Sequence, residues 1–453
     1  MVANMTEDQL LVLMIKYLKD SKRGALQQML DELHPYDVAQ LYRSLPDKHH
    51  HKFLTFLTPD QIADLIQELD SDMQIEILHR LGIERSSKVM NLMDNDDLAD
   101  LLNELSVERI QEFLDAMKDD ESEKVQSLMG YDPETAGGLM TNQFIWIKED
   151  YTVRQAVDKL KDYASFSENI YYLYVINEEK KLVGVVSYRD LLIAHIDDKI
   201  KDIMFNRVVS VPVDMDQEEV ARTIERYDFI AIPVVDQQNT LLGIITVDDV
   251  IDVVIREANE DIEKLSASGK DIDFQTKALT ASARRLPWLV LLLFIGLVSG
   301  SIISNFEETL EQVVALIFFM PMIAGMTGNT GTQSLAVVVR GIVTQNLDRK
   351  TIIHLVFREL RVGILIGLTC GVLIFVIGTI WINITLGFVV GVSLLLTLIT
   401  GTLAGTIIPL FLYRMGVDPA VASGPLITTL NDIFSLMIYF GIATAFLTQL
   451  QGL

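Results

Sequence analysis

Residues 173–192 read "LYVINEEKKLVGVVSYRDLL" and residues 232–251 read "IPVVDQQNTLLGIITVDDVI". The two segments lie 59 residues apart and stay in register throughout. Val175 and Val234, Leu182 and Leu241, Gly184 and Gly243, and Asp190 and Asp249 are identical pairs, and Ser187 answers Thr246. Each copy is an apolar strand, a polar turn, a second apolar strand and a helix start. Ser187 and Thr246 stand three residues before Asp190 and Asp249, where a helix N-cap belongs. The repeat predicts two copies of one small α/β unit.

Upstream, residues 25–130 have a helical pattern. "DVAQLYRSL" (37–45), "QIADLIQEL" (61–69) and "DLADLLNEL" (97–105) are related, and their alanines Ala39, Ala63 and Ala99 are 24 and 36 residues apart. That spacing predicts short helices of about a dozen residues stacked as a superhelical array. His49, His50 and His51 diverge by about 100° per residue on a helix and cannot converge on one metal. They are expected at the surface. The N-terminal "MVANMTEDQLLVLMIKYLKD" has neither the basic start nor the long apolar core of a signal peptide.

Charge divides the chain of 453 residues near residue 283. The first 283 residues carry 29 basic and 55 acidic side chains, net −26; the remainder carries 8 and 7, net +1. An acidic first half repels nucleic acid and attracts cations. The second half has five apolar stretches of membrane-crossing length, roughly 286–304, 310–339, 362–381, 386–413 and 421–447. Arg284, Arg285, Arg340, Arg349, Lys350, Arg358, Arg361 and Arg414 all fall on one side of this zigzag, that of the N-terminal half. The positive-inside rule then puts the N-terminal domains in the cytosol and the C-terminus outside. The single cysteine, Cys370, lies in an apolar run, so the chain has no internal disulfide.

Asp432, in "GPLITTLNDIFSLMIYF", is the one charge read as deep within a span, and Glu359 flanks another. A carboxylate in hydrocarbon is expensive and by default faces a cavity or pathway. Gly424, Thr428, Thr429 and Ser435 share its side of a helix. A second polar element, "IAGMTGNTGTQS" (323–334), places Asn329, Thr332 and Gln333 near mid-membrane, with Gly325, Gly328 and Gly331 as a ridge for close packing. Two polar elements in separate spans predict a hydrophilic ion path. Between repeat and membrane, "VDDVIDVVIREANEDIEKLSASGKDID" (247–273) reads as an amphipathic helix, with Ile251, Val254, Ala258, Ile262 and Leu265 on one face. Acidic residues crowd elsewhere on it, and carboxylates brought together from several elements would repel until a divalent cation bridged them.

The repeat resembles a tandem pair of CBS domains, whose Gly-apolar-apolar-Ser/Thr-x-x-Asp pattern matches "GVVSYRD" and "GIITVDD". The chain as a whole resembles the MgtE family of magnesium channels. The resemblance rests on the helical N domain, "YDPETAGGLMT" (131–141), the acidic connecting helix, "GNTGTQS" (328–334) and "GVDPA…GPLITTLND" (416–432). It implies a multidomain chain: an all-α superhelical N domain (1–130), an α/β tandem CBS pair (131–201 and 202–255), an acidic connecting or plug helix (256–275) and a five-helix α transmembrane domain (276–453). It implies a homodimer in the plasma membrane with a Mg2+ pore on the two-fold axis, lined by Asn329, Thr332, Gln333, Gly424, Thr428 and Asp432. The resemblance assigns cytosolic Mg2+ as the closing signal. Its implied metal ligands are Asp432, Asp96, Asp100, Glu218, Asp228, Asp249, Asp252, Glu257, Glu260, Asp261 and Asp418. ATP is implied as a regulatory ligand at Ser187, Arg189 and Asp190; Arg189 suits phosphate, whereas Asp248 in the second copy repels it. No Gly-Lys-Ser/Thr occurs, which excludes a P-loop transport ATPase. The expectation is a non-enzyme, a passive Mg2+ channel. The alternatives are an ion-coupled secondary transporter of divalent cations (Mg2+, Mn2+ or Co2+) and a nucleotide sensor without conduction.

Overall fold

The computed structural model describes residues 5–163, 169–266, 272, 276–344 and 348–450. Of the expected connecting segment, residues 267–271 and 273–275 lie outside the described residues. The chain divides into two compact units, Met1–Val254 and Ile255–Leu453.

The first unit begins with ten helices: α1 (Glu7–Lys19), α2 (Arg23–Leu30), α3 (Pro35–Ser44), α4 (Asp47–Phe56), α5 (Pro59–Gln67), α6 (Ser71–Leu81), α7 (Ile83–Met90), α8 (Asn95–Asn103), α9 (Val107–Ala116) and α10 (Asp119–Leu128). Their starts are written locally. Thr58 and Gln61 form a reciprocal capping box at α5, with Pro59 at its first position. Helix packs on next-but-one helix, α1 on α3, α3 on α5, α5 on α7 and α7 on α9, which is the superhelical array. Ala39, Ala63 and Ala99 are buried, in α3, α5 and α8. The histidine expectation fails for His50. It is buried, its Nε2 lies 2.8 Å from the Leu45 carbonyl, and its ring stacks on Tyr42. As an amphipathic ring it caps the core rather than facing water.

After α11 (Ala136–Leu139) come β1 (Phe144–Lys148), α12 (Val153–Tyr163), β2 (Asn169–Ile176), β3 (Leu182–Ser187), α13 (Tyr188–Ile193) and α14 (Ile200–Ile203). The second copy is β4 (Val211–Pro212), α15 (Gln217–Tyr227), β5 (Ala231–Val235), β6 (Leu241–Thr246) and α16 (Val247–Leu265). Each copy is a three-stranded sheet, β1-β2-β3 and β4-β5-β6, with a parallel and then an antiparallel pair. The repeat holds to the register: Val175 pairs with Gly184 and Val234 with Gly243. Both glycines are needed for close approach. A methyl group at Gly184 would come within 2.5 Å of Met204 Sδ, and one at Gly243 within 2.7 Å of the Thr141 carbonyl oxygen. Val185 and Ile244, the next residues, each bridge to the same crossing segments, at Phe205 and Thr141.

The apolar stripe expected on α16 is divided. Val250 and Val253 are buried, whereas Ile251, Val254 and Ile262 are exposed. The residues that pack are thus one position off the expected set, because the sheet side of the helix is set by β6 rather than by the longest apolar run.

The second unit continues with α17 (Ala278–Asn305), α18 (Glu307–Gln312), α19 (Leu316–Thr344), α20 (Arg349–Trp381), α21 (Ile384–Arg414), the 3-10 turn η1 (Pro419–Val421), α22 (Gly424–Ala445) and α23 (Leu447–Leu450). Four helices among the described residues, α17, α20, α21 and α22, are long and apolar enough to cross a membrane. The fifth expected span, α19, has 29 residues, ample length at 1.5 Å per residue, but the polar run at its centre lowers its hydropathy. It also starts later than expected, since the acidic α18 forms a separate turn of helix before it. At the centre, α21 packs against α19, α20 and α22. Glycines set the spacing between α20 and α21. A methyl group at Gly371 would meet the Gly391 carbonyl oxygen at 2.8 Å, and one at Gly391 would meet that of Gly371 at 2.9 Å.

Candidate ion site

The polar segment of α19 lies against α22. A methyl group at Gly328 would come within 2.8 Å of Thr428 Cγ2, and one at Gly331 would overlap the Asn431 amide. The expected ridge therefore holds for Gly328 and Gly331 but not for Gly325, which meets nothing within 4 Å. Three-residue steps fall about 60° short of a full turn, so Gly325 has wound away from the α22 face. Gly405 of α21 presses on the Gly331 carbonyl from another side. Asn329 and Gln333 lie on the exposed face of α19, with Thr332 and Thr428 half-buried between that face and the packed one.

Hydroxyl chemistry along this interface is uniform. Thr428 donates to the Gly424 carbonyl, Thr429 to Pro425 and Thr332 to Asn329. With its proton committed to the helix, each hydroxyl oxygen is left as an acceptor. Asp432 is half-buried, and among the described residues no hydrogen bond or ion pair holds its carboxylate. Gly424 stands at the first turn of α22, where a methyl group would come 3.5 Å from the Leu265 carbonyl oxygen and 3.6 Å from Thr332 Cγ2. The end of α16 thus reaches the end of the α19–α22 seam at which α22 begins.

Three polar residues at this seam went unassigned in the sequence. Asn431 is fully buried, and its Nδ2 donates to the Thr327 carbonyl at 3.3 Å. Glu359, expected to flank a span, is buried inside α20, where it accepts from Ser334 at 3.0 Å and pairs with Arg358 at 2.7 Å. Lys264 lies between Glu260, at 2.5 Å, and Asp418, at 2.6 Å. The acids expected to wait for a divalent cation at this end of α16 already hold an ammonium. Burial lowers the Lys264 pKa, and the bonds to Asp418 and Glu260 more than reverse it, so its charge is held above the ordinary range. Burial, with Asp418, Glu257 and Glu260 nearby, raises the Asp261 carboxyl against the pull of Lys264.

In the first unit a cavity of about 390 Å³ is lined by Asp94, Asp96, Asp97, Asp248, Asp249 and Thr246, with Tyr171 and Ile230. The structure therefore brings Asp96 together with Asp249 and adds three acids the sequence did not single out. Desolvation raises Asp97 to about 7 against a hydrogen bond from Gln67, with Asp94, Asp249 and Asp100 adding repulsion. Desolvation likewise raises Asp249 to about 6 against its bond to Thr246, with Asp248 and Asp252 adding repulsion. Asp100 and Asp252 contribute field without lining the cavity. Glu218 and Asp228 sit apart from it: Glu218 pairs with Arg222 at 2.6 Å, and Asp228 is the exposed left-handed C-cap of α15, φ 52°. Among the described residues no three His, Cys, Asp or Glu side chains converge as a ready metal site.

At the other repeat, Ser187 and Asp190 form a capping box. The Asp190 amide donates to Ser187 Oγ at 3.1 Å, and Ser187 Oγ donates to Asp190 Oδ2 at 2.6 Å. In the second copy Thr246 donates through its hydroxyl, at 2.5 Å, and its backbone amide, at 3.4 Å, to Asp249 Oδ2. Arg189 is exposed beside this cap.

Comparison with known proteins places these features. The family of divalent cation transporters called MgtE matches residues 320–442, its intracellular N domain matches 33–134, and CBS domains match 136–197 and 200–256. A magnesium transporter MgtE of Bacillus subtilis (strain 168) is 57% identical over 451 residues, 99% of this chain and 100% of the relative. One from Thermus thermophilus is 38% identical, covering 96% of this chain and 98% of the relative. Among solved structures, the cytosolic domain of the Mg2+ channel MgtE in complex with ATP is 36% identical, with TM-score 0.52, covering 54% of this chain and 99% of that one. The soluble part of a magnesium transporter matches with 36% identity and TM-score 0.53, over 56% of this chain and 100% of that one. These relatives are transporters and not enzymes, and with matches along nearly its whole length the chain belongs to the MgtE family of divalent cation transporters.

Proposed function

We propose that the chain is a passive Mg2+ channel of the plasma membrane, closed by cytosolic Mg2+ and modulated by ATP. One observation carries the reading: Asp432, whose carboxylate has no partner among the described residues, shares the half-buried edge of α22 with Thr428, whose hydroxyl proton is committed to the helix. An unpaired carboxylate costs several kcal/mol in hydrocarbon, roughly, and is kept where a cation offsets it. Mg2+ dehydrates reluctantly, so one carboxylate per subunit suits recognition through the ion's own water shell. The exposed face of Asn329 and Gln333 would meet its counterpart in a second copy, giving a homodimer with two Asp432 residues at the pore. In this reading α19 is the fifth span despite its polar centre, since that centre faces water. The N-terminal domains are cytosolic and the C-terminus is outside. The domain limits follow the sequence division at 130, 201, 255 and 275.

Closure draws on two acidic groups, each within one unit. In the first, Mg2+ would bridge Asp249 to Asp96 and its neighbours, with Asp100, Asp252, Glu218 and Asp228 as further acids. In the second it would join Glu257, Glu260 and Asp261 to Asp418. ATP would bind beside α13, with Arg189 on its phosphates and Ser187 and Asp190 adding polar contacts to their capping role.

Mg2+ flux into proteoliposomes tests the pore. Wild-type chain should pass Mg2+ without an imposed proton gradient, and Asp432→Asn should lose that flux while still assembling. Flux that requires or reverses with a proton gradient would make the protein a coupled transporter instead. Normal flux in Asp432→Asn would remove the pore assignment.

A further inference from the structure

The Asn431 amide is the one buried side chain of α22 whose two polar ends are treated differently. Its nitrogen donates to the Thr327 carbonyl of α19, while its Oδ1 is buried and, among the described residues, has no partner. Reversing the amide would set oxygen against the Thr327 oxygen, so the donor end is fixed by chemistry. The contact is crowded from every side. A methyl group at Gly401 of α21 would come within 2.8 Å of the Thr327 carbonyl oxygen, and Gly331 leaves only enough room for the amide itself. A buried acceptor with no partner lowers stability. Leucine at this position would have nearly the same shape and no such cost, and it suits an apolar helix better.

The contact acts on the direction of the next residue. Ile427, Asn431 and Ser435 are buried and recur every four residues, forming the packed edge of α22. Thr428 and Asp432, one residue later, lie about 100° around the helix and form the half-buried edge. Apolar packing alone resists rotation of α22 weakly, and the other directed bond from its buried edge to α19, from Tyr439 to the Leu316 carbonyl, lies two turns beyond Asn431. A directed hydrogen bond to a fixed carbonyl resists it sharply.

We propose that Asn431 is a positioning residue for ion recognition: by bonding the Thr327 carbonyl it fixes the rotation of α22, and so aims the Asp432 carboxylate at the polar face of α19. The inference rests on Asp432 being the ion-recognising group. The unmet Oδ1 is then the stability cost of a device kept for function.

The test uses full-length chain in proteoliposomes and compares Asn431→Leu, Gly331→Ala, Tyr439→Phe and Asp432→Asn. Asn431→Leu removes the donor and the unmet acceptor together. It should keep or raise the melting temperature, yet raise the half-saturating Mg2+ concentration about tenfold and reduce discrimination against Ca2+. Gly331→Ala, whose methyl group would displace the amide, should reproduce the loss of affinity, and it carries the test should Asn431→Leu not assemble. Tyr439→Phe removes a purely structural bond on the same helix, to the Leu316 carbonyl at 2.8 Å; it should lower the melting temperature without moving half-saturation. Wild-type half-saturation and discrimination in Asn431→Leu or in Gly331→Ala, while Asp432→Asn is inactive, would overturn the positioning role and leave the pore reading standing. Normal flux in Asp432→Asn would overturn the pore reading itself and this inference with it.

Discussion

Lys264 Nζ lies 2.6 Å from Asp418 Oδ2, so the end of the connecting helix is joined to the loop before α22 by a cation the chain supplies itself. A divalent ion arriving at Glu260 and Asp418 must displace or share with that ammonium. Lys264→Met should therefore create a stronger divalent site and weaken the metal-free arrangement. Protection from chymotrypsin should fall without Mg2+ and should be restored at a lower Mg2+ concentration than in wild type. Unchanged protection at every Mg2+ concentration would show that Lys264 does not compete.

The acidic cavity makes the first unit sensitive to pH. Asp97 at about 7 and Asp249 at about 6 both stand above the ordinary aspartate value of roughly 4. The folded cavity therefore binds more protons than the opened chain between these values, and its stability rises as pH falls through that window. Above about pH 7 both are charged and the closed arrangement carries their full repulsion. The protection factors of amides around Asp94–Asp97 in chelator, with the intrinsic pH dependence of exchange divided out, should rise between pH 8 and pH 6, and added Mg2+ should flatten that dependence. Protection factors independent of pH in chelator would contradict the assignment.

Capping and nucleotide binding separate at the first repeat. Ser187→Ala removes the α13 cap and should cost about 1 kcal/mol of stability without ATP, and more with ATP bound, where its polar contact is lost as well. Arg189→Ala touches no cap. It should leave the melting temperature unchanged and weaken ATP binding by about tenfold, read by calorimetry, since a charge-assisted phosphate contact is worth roughly 1.5–3 kcal/mol. Equal ATP affinity in wild type and Arg189→Ala would remove the phosphate role.

Glycines in the membrane unit differ in what they tolerate. Gly405→Ala would drive a methyl group into the Gly331 backbone, and overpacking of this kind costs about 1–3 kcal/mol. Gly300 of α17 has nothing within 4 Å of its would-be methyl group. Melting in detergent should drop by several degrees for Gly405→Ala and stay within error for Gly300→Ala.

The repeat was legible because register is a sequence property: identical residues 59 apart became identical strand pairings at Gly184 and Gly243. The stacked N-terminal helices were legible through the spacing of Ala39, Ala63 and Ala99. Asp432 was legible because a charge stands out in an apolar run. Asn431 was not, although it is the neighbouring residue, because a sequence gives helical angle but not which angle faces protein. Its pairing with Gly331 depends on the close approach of two helices a hundred residues apart. Lys264 was hidden by the acids around it: net charge drew the reading toward metal, and this base was not singled out. His50 was misread because divergence of the three histidines around a helix excludes a shared metal but does not say which of them faces the core; its ring stacks on Tyr42 of the preceding helix.

None of the residues of α17 is buried, although the helix is apolar for most of its 28 residues. Helix α21 is the opposite case, with buried glycines, threonines and a serine along most of its length. The two helices therefore carry different kinds of information. Helix α17 is long and apolar enough to cross a membrane, and lipid tails do not distinguish leucine from isoleucine or phenylalanine by shape. Its apolar residues should be freely interchangeable under mutational scanning, provided the stretch stays long and greasy, whereas α21 should accept almost no exchange at its small residues. Variation among natural or engineered sequences should accumulate on the first helix and be nearly frozen on the second.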